Sequence, residues 1–377
     1  MKKICFLPLF FLLISCGGSK KPVEPTPTPS PTPIKNVCTL DHEIEEFDIH
    51  TETQRNYFLN PNYKKINDYT GAGVVDESKS ISLTISWSWE YEVEEQSFIL
   101  SENEELNNAK TYVLSENSIE LSNLKIGMTY YFKITANKDE SDIYSFSTRD
   151  LGLRNMNVAT LSNIRDLGGI HLDNNKRIKQ GMIYRSAEMN ETYTQDTLVS
   201  EADINLLTNE FGIKSDIDLR NNVEVKDKIE TGGITSSPLG ENVNYVPCPM
   251  LFGGQNILTR SENQESIKDF FTYLGEESHY PMVFHCAQGK DRTGCMAYII
   301  EALLGADIDI MMRDYLFTNF SDVNGVCKPE DVNVRYGETL DLYEQGETLK
   351  EKTYNYLVNE IGVESQYLDN IISLLTE

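Results

Sequence analysis

Apolar and polar residues alternate along several segments between about residue 65 and residue 150. In "ISLTISWSWEYEV", which begins at Ile81, apolar residues occupy every second position as far as Trp89. Shorter runs follow, separated by polar residues or glycine: "SFIL", "TYVL", "SIEL", "TYYFKITA" and "IYSFST". A period of two is typical of strands with one buried face. We therefore predict an antiparallel β-sandwich over residues 37–150, with its core at about 65–150, although 37–64 show no decisive pattern.

From residue 151 the pattern becomes a mixture of strands and helices. "GMIYRSA" and "SDIDLR" predict short strands, and the continuous apolar run "YPMVFHC" is typical of a fully buried strand. "TGCMAYIIEALLGA" has apolar residues at helical spacing and ends at Gly305. "KEKTYNYLVNEIG" and "ESQYLDNIISLLTE" predict two amphipathic helices at the end of the chain. The fold class is therefore multidomain, with an N-terminal β-sandwich and a C-terminal α/β domain over residues 151–377.

The first 36 residues predict export and attachment to a membrane. Lys2 and Lys3 precede the apolar run "ICFLPLFFLLIS", which is too short for a mature membrane span. The run ends in "LISCGG", which resembles the bacterial lipobox; residues 1–16 would then be a lipoprotein signal with the lipid on Cys16, and a plain secretory signal is the alternative. Residues 17–36 are rich in Pro and Thr and predict an extended linker. We expect an extracytoplasmic protein, lipid-anchored at the bacterial cell membrane or cell surface.

Composition restricts the partners. The chain has 33 Lys and Arg against 59 Asp and Glu, a net charge of -26. Such a field repels nucleic acid, so no nucleic-acid partner is expected, and an anionic substrate needs a local cationic pocket. The seven cysteines lack the spacing of metal ligands, and they do not predict a disulfide framework. We predict no metal and no organic cofactor.

The segment "HCAQGKDRTG", residues 285–294, carries the candidate chemistry. It predicts a tight loop between the buried strand and the following helix, and the backbone N–H groups of such a loop form an anion cradle. Gly289 and Gly294 allow the close approach that a cradle requires. A cysteine in this potential should have a pKa of roughly 3.5–7.5, so Cys286 is expected to be a thiolate. Arg292, six positions on, can clamp two oxygens of a bound phosphate.

The spacing Cys-x5-Arg is the signature of the cysteine-dependent phosphatases. Four further segments accompany it: "NIRDLGG" (163–169), "YRSAEM" (184–189), "GIKSDIDLR" (212–220) and "MMRDYLFTN" (311–319). Together they resemble the bacterial secreted tyrosine-phosphatase family with a Cys-x-x-Gly-Lys-Asp-Arg loop, over about residues 154–377. The resemblance implies activity on phosphotyrosine and often on phosphoinositides. Arg165 and Asp166 of "NIRDLGG" are expected to serve the fold, with a contact to the phosphate loop as the less favoured interpretation.

The resemblance also implies a role for each residue of the loop. Cys286 would be the nucleophile, Arg292 would clamp the transition state, and Thr293 would donate a hydrogen bond to the thiolate. His285 would orient the loop. The residues expected to hold the substrate phosphate are Ala287, Gln288, Gly289, Lys290, Thr293 and Gly294.

Two residues are candidates for the group that protonates the leaving oxygen and then activates water. Asp291 lies inside the loop, as in lipid phosphatases of the myotubularin type, and Asp218 lies in "DIDLR", where the wider fold often carries a mobile-loop acid. Asp218 could instead form a salt bridge with Arg220 or Arg185, and Asp291 could merely stabilise the loop. We favour Asp291 because a loop position ensures proximity to the phosphorus.

"LKIGMTYYFKITA" in the N-terminal region resembles the fibronectin type III pattern. Leu124, Gly127 and Tyr130 occupy the characteristic positions, Trp87 suits the core tryptophan, and Ile126 stands where that family usually has proline. The resemblance implies a spacer or a module that binds an unknown partner.

Three functions are compatible with these features. The leading hypothesis is a phosphomonoester hydrolase, like a protein-tyrosine phosphatase with possible dual specificity, that acts through a phosphocysteine. Its substrate would be a phosphorylated protein or a phosphoinositide. One alternative is a phosphoinositide or inositol-phosphate phosphatase, favoured by Lys290 and Asp291. Another is a surface adhesin lipoprotein whose phosphate-binding domain is silent.

Overall fold

The computed structural model describes most of the chain after residue 36. The described residues are 37–65, 70, 75–173, 175–190, 198–220, 236–251, 257–323, 325–332 and 336–377. The predicted signal, the lipid site at Cys16 and the linker 17–36 lie outside these residues and stay predictions. Within the described part of the chain, no helix is long and apolar enough to cross a membrane.

Two facing sheets make up most of the N-terminal region. The strands are β1 (Cys38–Leu40), β2 (Glu46–Phe47), β3 (Leu83–Trp89), β4 (Gln96–Ser101), β5 (Lys110–Leu114), β6 (Ser118–Leu121), β7 (Thr129–Ala136), β8 (Asp139–Glu140) and β9 (Tyr144–Thr148). One sheet has the order β1-β3-β6 and the other β2-β9-β7-β4-β5, with β8 paired to β7. Trp87 of the first sheet and Phe98 and Phe132 of the second are buried in one shared core. Of the alternating run, Leu83, Ile85 and Trp87 lie in this core between the two sheets, whereas Ile81 is 40% exposed.

One helix of this region packs elsewhere. Helix α1 (Glu52–Leu59) begins with a capping box formed by Thr51 and Gln54. Its aromatic residues belong to the core of the C-terminal domain, where Phe58 stacks on Phe317 at 5.4 Å between ring centroids. The Tyr57 hydroxyl donates to the carbonyl oxygen of Arg313 at 3.0 Å. The short apolar face of this helix is therefore buried on the C-terminal domain, although the helix lies between strands of the sandwich, in the part of the chain (37–64) whose sequence shows no decisive pattern.

The C-terminal region is an α/β domain around a six-stranded sheet. Its strands are β10 (Arg154–Asn155), β11 (Arg165–Asp166), β12 (Ile183–Ser186), β13 (Ser215–Asp218), β14 (Asn244–Pro247) and β15 (Met282–His285), in the order β10-β11-β12-β15-β13-β14. The helices are α2 (Glu201–Asn205), α3 (Ser261–Leu274), α4 (Arg292–Leu304), α5 (Ile308–Phe317), α6 (Pro329–Val332), α7 (Glu338–Asp341), α8 (Leu349–Tyr356) and α9 (Ser365–Leu375).

Parallel pairing brings the ends of three strands to one edge of this sheet. Ser186 and Asp218 both lie beside His285 in the register of β12, β15 and β13. The loop that follows His285 therefore starts at the carboxyl edge of a parallel sheet, where open α/β sheets usually bind ligands. All thirteen residues of helix α4 are buried, and the helix ends at Gly305 in the left-handed conformation, as its pattern predicts.

Candidate active site

The loop between β15 and α4 holds its carbonyl groups on the outside. The carbonyl oxygen of Ala287 accepts from the Glu188 amide at 3.2 Å. That of Gln288 accepts from Asn163 Nδ2 at 3.0 Å, and that of Gly289 accepts from Arg185 Nη2 at 2.7 Å. Three successive carbonyls engaged in this way direct the loop N–H groups to its inner side. The backbone N–H groups of Gln288 and Thr293 are directed at Cys286, as an anion cradle requires; binding of an anion by the loop stays a prediction.

Gly289 is required at the bend of this loop. Its φ is +62°, and a Cβ atom there would lie 2.4 Å from the carbonyl oxygen of Ser186. A side chain is therefore excluded both by backbone conformation and by contact with strand β12. Gly294 is constrained by packing and not by backbone conformation. It lies in helix α4, and a Cβ atom there would come within 3.1 Å of the Tyr315 ring.

Cys286 lies at the base of the cradle and is 2% exposed. Burial raises the pKa of its thiol, but the Arg292 guanidinium, the Thr293 hydroxyl and the backbone N–H groups of Thr293 and Gln288 lower it by more, so the net pKa is lowered. These groups stabilise the thiolate, the form that acts as a nucleophile. The sulfur is thus prepared to attack without a neighbouring base.

Arg292 is the first residue of helix α4 and is 3% exposed. Its Nη1 lies 3.4 Å from the carbonyl oxygen of Leu219 and 3.4 Å from that of Met250. Both carbonyls belong to the segments that follow the neighbouring strands β13 and β14. One edge of the guanidinium is thereby oriented by the carboxyl edge of the sheet.

His285 lies beneath the nucleophile and is buried. Its Nε2 is 3.1 Å from Asp216 Oδ1, and its Nδ1 is 3.3 Å from the carbonyl oxygen of Cys286. Burial lowers the pKa of His285, but Asp218 and Asp216 raise it by more, so the charged ring is favoured. A protonated imidazole cannot take a proton from the thiol. This geometry fits an orienting role.

Asp218 is buried in an ion pair. Its Oδ2 accepts from Arg220 Nη2 at 2.6 Å and from the Tyr245 hydroxyl at 3.0 Å, while Oδ1 accepts from the Arg220 backbone N–H at 2.9 Å. Burial raises the pKa of Asp218, but the charges of His285 and Arg220 and the bonds from Arg220 bring the net pKa below its usual value. The structure thus contains one of the two salt bridges considered for this residue, that with Arg220, whereas Arg185 pairs with Asp314.

Asp291 and Lys290 occupy the last positions of the loop. Asp291 is 8% exposed and directly precedes Arg292 at the start of helix α4, which it joins through its carbonyl and the Cys295 amide at 2.8 Å. Lys290 is also buried, and its Nζ donates to the carbonyl oxygen of Gly325 at 3.3 Å. The ammonium group therefore ties the loop to the segment after α5.

Two supporting residues, Asn163 and Asp314, were not identified from the sequence, and Arg185 was considered there as a partner of Asp218. Asp314 Oδ1 accepts from Arg165 Nε at 2.6 Å, and Asp314 Oδ2 accepts from Arg185 Nη1. Arg165 therefore reaches the loop indirectly, through an acid that also holds Arg185. A signal existed in the chain, since Asp314 is a charged residue inside the apolar run "IMMRDYLF", and buried charges need partners.

No group of three or more His, Cys, Asp or Glu side chains suited to a metal ion occurs among the residues with described positions. The donors at this site are instead backbone N–H groups, a guanidinium and a hydroxyl. Such donors bind an anion, and the adjacent sulfur can attack it.

Comparison with known proteins gives matches in the same part of the chain. The model of a tyrosine phosphatase family matches residues 156–377. A Cupriavidus necator protein, assigned by its name to the tyrosine-protein phosphatases, is 26% identical over 190 residues, which are 45% of this chain and 64% of that protein. The chain thus spans less than two thirds of that relative.

Two solved structures are similar to part of the chain. The core catalytic domain of the PP-IP phosphatase SIW14 from S. cerevisiae is 16% identical, with 38% of this chain and 79% of that chain covered and a TM-score of 0.25. TpbA from P. aeruginosa is 16% identical, with 44% and 83% covered and a TM-score of 0.25.

Proposed function

The chain belongs to the tyrosine phosphatase family, whose model covers more than half of it, and we propose on this basis that it hydrolyses phosphomonoesters through a phosphocysteine at Cys286. The observation that carries the proposal is the buried Cys286 thiol. Its pKa is lowered, against the effect of burial, by Arg292 and by N–H groups of the loop. A thiolate surrounded by anion-binding donors is the arrangement that phosphoryl transfer to sulfur requires.

The first step transfers the phosphoryl group to sulfur. The Cys286 thiolate attacks phosphorus while the bond from phosphorus to the ester oxygen breaks. The loop N–H groups and the Arg292 guanidinium bind the three equatorial oxygens, whose charge is greatest in the transition state. The departing oxygen takes a proton from a carboxylic acid.

The second step releases inorganic phosphate. A water oxygen attacks the phosphocysteine, its proton passes to the carboxylate left by the first step, and the bond between sulfur and phosphorus breaks. The electron pair returns to Cys286, where the Thr293 hydroxyl stabilises the thiolate. We assign the acid to Asp291, because Asp218 is held in its charged form by Arg220 and Tyr245.

The leading substrate class is a phosphotyrosine-containing protein. A phosphoinositide phosphatase is the second candidate, because Lys290 and Asp291 lie in the loop. The contact of Lys290 with Gly325 supports the first candidate, since this ammonium is engaged outside the cradle. A silent binding domain is the least supported, because the loop retains both the nucleophile and the clamp.

We also propose where the protein is located in the cell and to which type its N-terminal domain belongs. Cys16 would be lipidated, so that the enzyme is anchored at the bacterial membrane or cell surface on the extracytoplasmic side; the motif "LISCGG" supports this. The sandwich would be of the fibronectin type III kind, which the sheet order of three and five strands supports. Incorporation of labelled fatty acid into the protein, and its loss in Cys16→Ala, would test the anchor.

The test of the reaction is turnover by the purified protein. It should hydrolyse p-nitrophenyl phosphate, and Cys286→Ser should abolish turnover while phosphate still binds. Absence of turnover on this ester and on a phosphoinositide panel between about pH 5 and 7.5 would refute the proposal and favour the binding function.

The acid is tested by comparing Asp291→Asn with Asp218→Asn on an aryl and an alkyl ester. Loss of the true acid should affect the alkyl ester far more, because its poor leaving group needs the proton. If Asp291→Asn affects both esters equally, the assignment to Asp291 is wrong.

A further inference from the structure

The segment "NIRDLGG" contacts both the phosphate loop and the β-sandwich. Asn163 donates to the carbonyl oxygen of Gln288 in the loop. At the other end of the segment, a Cβ atom on Gly169 would lie 2.7 Å from Ile126 Cδ1 of the sandwich. The two regions are therefore joined through seven consecutive residues.

Strands β11 and β12 present different side chains on their two faces. Arg165 lies opposite Arg185 in this antiparallel pair, and Asp166 lies opposite Tyr184. Opposed residues share a face, and adjacent residues of a strand point to opposite faces. On the face with the two arginines, both guanidinium groups form ion pairs with Asp314. Arg185 also donates a hydrogen bond to the carbonyl oxygen of Gly289.

On the opposite face, the Arg154 side chain connects the sheet with the sandwich. Its Nη1 donates to Asp166 Oδ2 at 2.6 Å, and both groups are buried. The same guanidinium donates from Nη2 to the carbonyl oxygen of Asn123 at 2.7 Å and from Nε to that of Leu124 at 3.3 Å. One planar group thus joins strand β11 to the backbone of the sandwich.

A second clamp lies beside the first. The Gln180 side chain accepts from the Ile126 amide and donates to the Ile126 carbonyl oxygen, each at 2.9 Å. Asp166 also accepts from the backbone N–H groups of Gly181 and Gly168, at 2.5 and 2.8 Å. The contacts with the sandwich are therefore specific hydrogen bonds to its backbone.

We propose that Arg154 is a positioning residue, through which the docked sandwich fixes strands β11 and β12 and so the phosphate loop. The sandwich is then a working part of the catalytic site, beyond the role of a spacer. The proposal rests on the proposed function only for the one readout that needs turnover, the inhibition by inorganic phosphate. A small displacement of the loop suffices for a large effect, since a 1 Å error in position can cost about 10²-fold in rate.

The sharpest variant is Arg154→Lys in the full chain. Lysine keeps a counter-ion for Asp166 but lacks the planar fork that reaches the sandwich carbonyls at the same time. Gln180→Leu removes the second clamp at a half-buried position without touching Asp166. The matched control is Lys110→Met, which breaks an exposed ion pair to Glu210 that also joins the two regions but does not involve "NIRDLGG".

Three readouts are combined: circular dichroism for the fold, the competitive inhibition constant of inorganic phosphate, and the pH profile of Cys286 alkylation by iodoacetamide. We expect folded Arg154→Lys to bind phosphate about tenfold more weakly, and its alkylation midpoint to move to higher pH, because the loop N–H groups no longer face the sulfur. Gln180→Leu should change in the same direction, and Lys110→Met should match the wild type.

Each other outcome overturns the proposal. A folded Arg154→Lys or, if that variant does not fold, a folded Gln180→Leu with wild-type alkylation and phosphate inhibition would show that the loop is independent of the sandwich. If both variants lose their fold, the contacts are merely structural. Alkylation needs no turnover, so an inactive wild type would refute the proposed function and leave this test decisive.

Discussion

Replacement of Gly289 by alanine should slow the enzyme strongly and should also destabilise the fold. The new Cβ would lie 2.4 Å from the carbonyl oxygen of Ser186 and 2.6 Å from its carbonyl carbon. Both are backbone atoms of the central strand β12, which cannot move aside as the end of a side chain can. The loop itself must shift, and its N–H groups with it.

The magnitude follows from two contributions. An L-residue in the left-handed region costs about 1–2 kcal/mol. Displacement of the Gly289 carbonyl from Arg185, now 2.7 Å away, forfeits a hydrogen bond to a charged donor worth about 1.5–3 kcal/mol. A loop displaced by about 1 Å should lose about 10²-fold in rate.

The assay combines kcat/KM on p-nitrophenyl phosphate with the thermal midpoint of Gly289→Ala. The matched control is Gly212→Ala, whose φ of +68° carries the same backbone strain but whose Cβ would meet only Pro281 Cγ, at 4.0 Å. The control should lose about 1–2 kcal/mol of stability and retain its activity. Wild-type kcat/KM in Gly289→Ala would refute the reasoning that strand β12 sets the position of the loop.

Three further predictions concern charged residues of the site. Arg292→Lys should lower kcat by about 10²–10³-fold, because an ammonium cannot form the bidentate clamp; steady-state kinetics and phosphate affinity check it. Asp218→Asn should destabilise the fold at neutral pH, because Arg220 loses its buried carboxylate and keeps the ion pair with Glu188 at 3.1 Å; the loss should stay below the about 3–5 kcal/mol of a buried charge left without a partner. Because the pKa of Asp218 is lowered on folding, its contribution should be lost on acidification, and urea titrations at several pH values should show the difference from wild type shrinking. Burial, followed by the charge of Asp314, raises the pKa of Glu301 well above 4.5. Above about pH 4.5 the unfolded chain releases this proton more readily than the folded chain does. Wild type should therefore lose stability relative to Glu301→Gln as the pH rises above about 4.5.

The local structure of the loop could be predicted because its causes are local. The apolar run before Cys286, the glycines and the helical spacing after Thr293 lie within a few residues of one another, and each restricts the backbone directly. The two sheets of the N-terminal region could be predicted for the same reason, because the alternation of apolar and polar residues shows which face of each strand is buried. The resemblance of the wider motif set then indicated the chemistry of Cys286 and Arg292.

The supports of the loop could not be predicted, because they join distant parts of the chain. Asn163 reaches Gln288 across 125 positions, and Arg185 reaches Asp314 across 129. Nothing in the local pattern identifies the partner of a buried charge. Helix α1 illustrates the same limit, since its few apolar residues fit either domain and only the three-dimensional arrangement decides between them.

The charge balance behind the loop explains how so acidic a chain can present a cationic site. Arg165 and Arg185 share the carboxylate of Asp314, and burial together with the charge of Asp314 raises the pKa of the nearby Glu301, which favours its neutral form. With Glu301 neutral, the two guanidinium groups outnumber the carboxylate, so the cluster adds positive potential at the loop, which it reaches through Arg185 and the Gly289 carbonyl oxygen. Surface acids act on the site through water and salt, which screen them beyond about 8 Å at physiological ionic strength, whereas buried groups are screened much less. A dianionic phosphate in the loop therefore experiences Arg292, the N–H cradle and this buried cluster more strongly than the net charge of -26.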